Sequence, residues 1–127
     1  MVSRKGFTLI ELLIVVVIIG LLASIAIPKF AATKDKARMA SVKSDLRNSM
    51  TAQEAYFADY NTFGDLAQIQ LNSNFLLSLG NIGSVVPNVS GYTATITNTT
   101  IATGITQCTV QAGAGAASTI DGVIICS

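Results

Sequence analysis

The segment that decides the fold runs from Gly6 to Ile27 and reads GFTLIELLIVVVIIGLLASIAI. From Phe7 onward it has about 21 residues, which as a helix would measure about 31 Å, close to the hydrocarbon thickness of a bilayer. Val, Ile and Leu cover all sides of this helix, so it has no polar face for a membrane surface or a soluble core. The sequence therefore predicts a helix that can span a membrane.

Glu11 is the one ionisable side chain in this apolar stretch. An ionised acid in hydrocarbon costs about 2.5 to 3.5 kcal/mol on insertion scales, so it needs a partner and indicates a functional site. The plainer interpretation is an acid near a helix end whose carboxylate reaches toward water.

Both flanks of the apolar segment are basic, so the positive-inside rule gives no orientation for the intact chain. A secretory signal would have a small-residue cleavage site after its apolar part, but Pro28, Lys29 and Phe30 follow Ile27. A cut between Gly6 and Phe7 would instead remove MVSRKG and leave the apolar segment on the mature protein.

The sequence from Gly6 to Phe30, GFTLIELLIVVVIIGLLASIAIPKF, resembles the N-terminus of type IV pilins, bacterial proteins that polymerise into surface filaments. This motif is long and specific. The resemblance is to a type IVa-like major pilin with a class III prepilin leader. It is strong over roughly the first 60 residues and only architectural beyond them.

The resemblance implies roles for three residues. Gly6 would be the last leader residue before the prepilin peptidase cut, and Phe7 would become the new N-terminus, usually N-methylated. Glu11 would then pair with the amine of a neighbouring subunit's Phe7. Removing one partner of a buried ion pair typically costs about 3 to 5 kcal/mol, so the pair would hold the filament in register.

Two helix-breaking residues lie in or next to the apolar segment. Gly20 costs about 1 kcal/mol relative to Ala in a helix interior, and Pro28 removes a backbone donor and clashes with the preceding turn. We expect a kink at Pro28. In related pilins the stretch between these positions loses helicity on assembly, whereas the simpler alternative is that small residues permit close helix packing.

Residues 29–63 are predicted to form an amphipathic helix that continues the first, so the whole helix would exceed about 50 residues. Its buried stripe is predicted to contain Met39, Val42, Leu46, Met50, Gln53, Phe57 and Tyr60. Charged residues are predicted on its other surfaces: Lys34, Asp35, Lys36, Arg38, Lys43, Asp45 and Arg47. Asn61, Thr62 and Gly64 are expected to end it, with a positive φ at the glycine.

The rest of the chain predicts a connection followed by a sheet. Residues 64–91 are rich in Asn, Gly, Ser and Pro and are predicted to form a loop with one helical turn near 75–79. Residues 92–127 are predicted to form a small antiparallel meander, with strands at 92–97, between 101 and 111, and at 123–126. The predicted fold is therefore α+β, a long N-terminal helix packed on a small antiparallel sheet.

Cys108 and Cys126 are the two cysteines. In an exported domain, as the pilin resemblance implies, an even number of cysteines indicates a disulfide, and closing about 19 residues would contribute about 3 kcal/mol. Two buried free thiols are the alternative. The chain has no His, and Asp121 is the one acid after Asp65, so no metal site and no cofactor are predicted.

The net charge of +1 conceals an uneven distribution. All basic residues lie at or before Arg47, and the remainder carries only acids. Basic residues beside a membrane span usually anchor it at the interface. Since the C-terminal part has no basic cluster, DNA binding has no support from the sequence.

The resulting functional prediction is a structural pilus subunit, not an enzyme, because no catalytic constellation is present. Its expected partners are copies of itself, the prepilin peptidase, the inner-membrane assembly machinery and the membrane before assembly. It is expected in the inner membrane as a precursor and in an extracellular filament once assembled. Alternatives are a type II secretion pseudopilin, a pilin that conducts electrons through Phe30, Tyr56, Phe57, Tyr60 and Phe63, and a membrane-anchored periplasmic domain that never polymerises.

Overall fold

The chain, seen in a computed structural model that describes residues 6–113 and 121–127, combines helices with one sheet. The elements in order are α1 (Leu9–Tyr60), α2 (Leu66–Asn72), β1 (Asn81–Asn88), β2 (Gly91–Asn98), β3 (Gln107–Gly113) and β4 (Ile124–Cys126). The predicted α+β class is confirmed. The chain divides into two compact units, Met1–Lys34 and Asp35–Ser127.

The N-terminal unit contains the first half of α1, a helix of 52 residues in total. A helix longer than about 50 residues was predicted, and α1 continues through Pro28. Its large apolar side chains from Phe7 to Phe30 are between 48% and 84% exposed. Nothing within this unit therefore shields them from solvent.

In the C-terminal unit, the second half of α1 packs on the sheet through residues three or four positions apart. The buried residues of this part are Asp35, Val42, Asp45, Leu46, Ser49, Ala52, Gln53 and Tyr56. Their apolar members join a core with sheet residues that include Tyr92, Ala94, Ile96 and Val110. This spacing matches the helical period of about 3.6 residues, so one face of the helix is buried.

Part of the predicted buried stripe was wrong. Val42, Leu46 and Gln53 are buried as expected, but Phe57 and Tyr60 are 39% and 51% exposed. The helical period places Tyr56 on the side of Val42 and turns each following residue by about 100°, so Phe57 leaves the buried face. The ring of Tyr60 stacks on that of Tyr56 from the solvent side, at a centroid distance of 4.5 Å.

The prediction that Asp35 and Asp45 lie on the outer surfaces was also wrong. Asp45 is only 2% exposed, and it accepts hydrogen bonds from the Ser78 backbone N–H at 2.8 Å, the Ser78 hydroxyl at 2.7 Å and Asn81 Nδ2 at 2.7 Å. Asn98 Nδ2 donates in turn to Asn81 Oδ1 at 2.7 Å. A buried acid is tolerated when its oxygens are satisfied in this way, which a pattern of charged and apolar residues cannot reveal.

The sheet is an antiparallel meander with strand order β1-β2-β3-β4. In β2, Tyr92, Ala94 and Ile96 are buried, and the threonines between them are partly exposed. This alternation confirms the predicted half-buried strand, since successive side chains of a strand point to opposite faces.

The interpretation of residues 64–91 as a loop was wrong, because this range contains α2 and β1. The Asp65 side chain caps α2 by accepting from the Gln68 N–H at 2.9 Å, while Gln68 Oε1 accepts from the Asp65 N–H at 2.8 Å. The helical turn predicted near 75–79 is absent from the described structure there. β1 escaped detection because it is an edge strand, where Pro87 and a glycine are tolerated.

The end of α1 also differs from the expectation. The residue with positive φ is Asn61, at 54°, and not Gly64. Gly64 is instead held by Gln53, which accepts from its N–H at 3.0 Å and donates to its carbonyl at 2.5 Å. A Cβ at position 64 would lie 3.1 Å from the Tyr56 ring, so the glycine allows a close approach to the helix.

The predicted disulfide is present. It joins Cys108 of β3 to Cys126 of β4, which are direct partners in the strand register. The segment between them that reads AGAGAAS, residues 112–118, is expected to be flexible, and residues 114–120 lie outside the described residues. In the chain-entropy interpretation a bridge closing a loop of this size contributes about 3 kcal/mol. It also ties the short C-terminal strand to the rest of the sheet.

We predict that Asp45→Ala destabilises the C-terminal unit by about 2 to 3 kcal/mol, because the buried Asn81 amide and the exposed Ser78 lose a charged acceptor. Urea unfolding of the detergent-solubilised chain, followed by circular dichroism, measures the loss. The control is Asp59→Ala, which removes an exposed acid of the same helix and should change stability by less than about 0.5 kcal/mol. Equal unfolding curves for the two variants would contradict this role of Asp45.

The lowered pKa of Asp35 predicts that the stability of the C-terminal unit depends on pH. Desolvation by burial raises the pKa of Asp35, but hydrogen bonds from Thr103, the Ala102 backbone and Arg38 outweigh it, so the pKa lies below the ordinary 3.8. A group whose folded pKa is lowered stabilises the fold above its unfolded pKa, and that stability is lost as the pH falls through the folded value. Asp35→Asn should therefore flatten the decline in melting temperature on acidification below pH 3.8. An unchanged decline would contradict the assignment.

A candidate interface on the N-terminal helix

The first turn of α1 is closed by a reciprocal pair of hydrogen bonds. The Thr8 N–H and hydroxyl donate to Glu11 Oε2 at 2.8 and 2.7 Å. The Glu11 N–H lies 3.3 Å from the Thr8 hydroxyl oxygen, to which it donates. This arrangement is a capping box, which satisfies two backbone donors that a helix start leaves unpaired.

The capping role of Glu11 was missed from the sequence, although the signal was there. Thr8-Leu9-Ile10-Glu11 is a T-x-x-E pattern before an apolar run, the usual mark of a capping box. A carboxylate at this position also interacts favourably with the helix dipole. The described hydrogen bonds to the carboxylate all reach Oε2, so Oε1 can accept from a further donor.

The surface that follows the cap is apolar on every side. Between Leu9 and Ile27 the large side chains are Leu, Ile and Val, and all are exposed. In the described part of the chain, one helix is long and apolar enough to cross a membrane by length and composition. Such a surface can lie in hydrocarbon or against other apolar helices, because either removes it from water.

The remaining predicted site residues are placed as follows. Gly6 and Phe7 are exposed and precede the helix, so the two residues that flank the predicted cut are accessible. Gly20 lies inside α1, and a Cβ there would meet nothing within 4 Å. Pro28 also lies inside α1. The disulfide lies in the C-terminal unit.

The aromatic residues form two small groups in the C-terminal unit. The ring of Tyr56 stacks on that of Tyr60. The ring centroid of Phe63 lies 4.8 Å from that of Phe57 and 5.4 Å from that of Tyr92. Phe30 is 75% exposed and has no ring contact within the described residues. These contacts are ordinary packing geometry for aromatic pairs. In residues 6–113 and 121–127, no group of three or more His, Cys, Asp or Glu could hold a metal ion.

Comparison with known proteins bears on the same helix. A family profile described as a prokaryotic N-terminal methylation motif matches residues 1–27. The chain is 44% identical over 64 residues to the type IV major pilin protein PilA of Myxococcus xanthus, which covers 50% of this chain and 29% of that protein. It is 40% identical over 78 residues to the type IV wide pilus major component PilA4 of Thermus thermophilus, covering 61% and 55%.

A third relative is the type II secretion system core protein G of Klebsiella michiganensis, 42% identical over 57 residues, which cover 45% of this chain and 40% of that protein. The matches span between 29% and 55% of these three relatives. Over part of its length the chain is therefore similar to type IV pilins, as its N-terminal sequence predicted, and to a type II secretion protein.

The capping box leads to a prediction for the helix start. Thr8→Ala removes the hydroxyl and should destabilise the first turn by about 1 kcal/mol. Hydrogen exchange of the amides of residues 8–11, measured by NMR in detergent micelles, should become faster. Ser24→Ala is the matched control, because the Ser24 hydroxyl donates to the Leu21 carbonyl at 2.8 Å, away from the first turn. Unchanged exchange in Thr8→Ala would show that the cap does not form in solution.

Proposed function

We propose that this chain is the structural subunit of a type IV pilus and polymerises through its hydrophobic N-terminal helix. The observation that carries the proposal is the apolar surface of α1, exposed on every side and interrupted by one acid, Glu11, in the first turn. Burying apolar surface contributes about 25 cal/mol per Å². Bundled copies of this helix would therefore form a very stable filament.

Assembly would begin with proteolysis between Gly6 and Phe7 by a prepilin peptidase, followed by N-methylation of Phe7. The match of the methylation motif to residues 1–27 supports this step. So does the exposure of Gly6 and Phe7 ahead of the helix, because a peptidase must reach the bond it cuts. The cut creates a charged amine at Phe7, where the precursor has only a peptide nitrogen.

The new amine of one subunit would then pair with Glu11 of its neighbour. Thr8 occupies Oε2 of the carboxylate, so Oε1 would accept from the incoming amine. In an apolar bundle an acid needs such an opposite charge, and an amine and a carboxylate meet at only one axial offset between helices. Because the amine exists only after cleavage, the pairing makes assembly depend on processing.

Before assembly the helix would hold the subunit in the inner membrane, in contact with the pilus assembly machinery. Its length and composition are those of a membrane-spanning helix. On leaving the bilayer, the stretch between Gly20 and Pro28 would lose helicity, since both residues disfavour a helix interior. The assembled filament would be extracellular and would serve motility, adhesion or DNA uptake. The last of these has no basic cluster beyond Arg47 to support it.

A type II secretion pseudopilin is the second candidate, favoured by the relatives named core protein G. The Cys108–Cys126 disulfide and the near absence of acids after Asp65 favour the pilus. A domain that remains anchored in the membrane without polymerising would leave Glu11 without the proposed partner. Conduction of electrons would need a continuous series of aromatic contacts, whereas the described ring contacts are ordinary packing within the C-terminal unit.

The test separates the two roles of Glu11. Glu11→Gln keeps an acceptor for Thr8 and so preserves the cap, because Gln also serves in capping boxes. It removes the charge that the Phe7 amine needs. We predict a loss of at least about tenfold in sheared surface filaments, equivalent to about 1.4 kcal/mol per contact, with the processed subunit still present in the membrane.

Thr8→Ala is the matched variant, since it removes the cap and keeps the charge. It should assemble to within about threefold of the wild type, because a lost cap costs about 1 kcal/mol or less when the helix is held by packing. Filament yield is measured by electron microscopy and immunoblotting of sheared material. Normal yield with Glu11→Gln would overturn the ion pair, and wild-type cells without filaments would overturn the proposed function itself.

A further inference from the structure

Four charged residues of the C-terminal unit share one exposed face of α1. Lys36, Lys43, Arg47 and Glu54 are separated by seven, four and seven positions and are all exposed. At about 100° per residue these spacings keep the four side chains within about 20° of one line along the helix. We call this line the charged stripe. It contains three bases followed by one acid.

Within the described residues, no member of the charged stripe takes part in a salt bridge. The described residues contain one salt bridge, between Arg38 and Asp35, and it lies on another side of the helix. Lys43 and Arg47 are like charges four positions apart, an arrangement that slightly destabilises an isolated helix. The repulsion between these bases slightly lowers the stability of the free subunit. Because an acid follows the bases on the same face, the bases of one copy could attract the acid of a second copy.

We propose that the charged stripe is an interface with a second copy of this chain, in which Arg47 of one subunit pairs with Glu54 of the next. The inference rests on the proposed function, because a filament brings copies of α1 together in parallel. Arg47 and Glu54 are seven residues apart, about two helical turns or 10 Å. Two parallel copies displaced by that distance along the axis place the guanidinium beside the carboxylate.

Arginine suits this role because its planar guanidinium can bind a carboxylate through two parallel hydrogen bonds. Lys36 and Lys43 extend the positive potential on the same face and strengthen the attraction to an acidic partner. An anionic membrane surface is the other occupant to consider for a basic stripe. Glu54 on the same line disfavours it, since a carboxylate is repelled by anionic headgroups.

The experiment exchanges the two charges in the full-length chain. Arg47→Glu and Glu54→Arg are made singly and together, and the fraction of processed subunit recovered in sheared filaments is measured by immunoblotting. An exposed pair is worth up to about 1 kcal/mol, so each single variant should lose about fivefold. The double variant restores opposite charges across the interface and should return to within about twofold of the wild type. The loss in the single variants should also vary with salt.

Asp59→Arg is the matched control. Asp59 is an exposed acid of the same helix, and it lies five residues beyond Glu54, which turns it about 140° away from the charged stripe. It makes the same change of charge, so it should assemble to within about twofold of the wild type if only the stripe matters. The amount of processed subunit in the membrane shows that each variant folds and is cut.

Three outcomes would overturn the proposed interface. One is an effect of Glu54→Arg no larger than that of Asp59→Arg, and another is a double variant as defective as the singles. The third is a combined result in which the Arg47→Glu variant is released from the membrane and the Glu54→Arg variant assembles normally. That result would show that the charged stripe binds lipid headgroups. In each case wild-type filaments would still form, so the proposed function would stand. Absence of wild-type filaments would overturn both.

Discussion

The rest of the structure depends on one constraint, which is that the apolar surface of the N-terminal half of α1 is unfavourable in contact with water. Its large side chains from Phe7 to Phe30 are all exposed in the single chain. Hydrocarbon can cover this surface before assembly, and copies of the same helix can cover it afterwards. In the proposed function the same residues would therefore serve as a membrane anchor and as the core of a filament, and the apolar surface would stay out of water in both environments.

Glu11 has a local role and a proposed intermolecular one. In the single chain its carboxylate closes the first helical turn with Thr8, which provides polar partners for the acid at the entrance of an apolar segment. In the filament the same carboxylate would meet an amine that exists only after cleavage at Phe7. Its fixed position in the cap would then orient it for that contact. The charged stripe on the second half of α1 would add a weaker, screened contact to the apolar one.

The sequence predicted the features that depend on local pattern. The long apolar run and the alternation in β2 depend on near neighbours, and two cysteines allow only one pairing within the chain; the structure contains a long helix, a meander and a disulfide. The sequence-based prediction was wrong where contacts with residues far along the chain determine burial or secondary structure. Asp45 is charged yet buried, because Ser78 and Asn81, far along the chain, satisfy it. β1 has the composition of a loop, and its pairing with β2 makes it a strand. The cap at Thr8 is a local feature that the T-x-x-E pattern of Thr8 to Glu11 indicates in the sequence itself.

The most direct measurement of the central claim is electron microscopy of sheared surface material combined with the intact mass of its main subunit. The account predicts filaments whose subunit begins at Phe7, lacks MVSRKG and carries one additional methyl group. A subunit that retains the leader, or processed protein that remains in the membrane fraction while no filaments are found, would contradict the claim that this helix is covered by copies of itself.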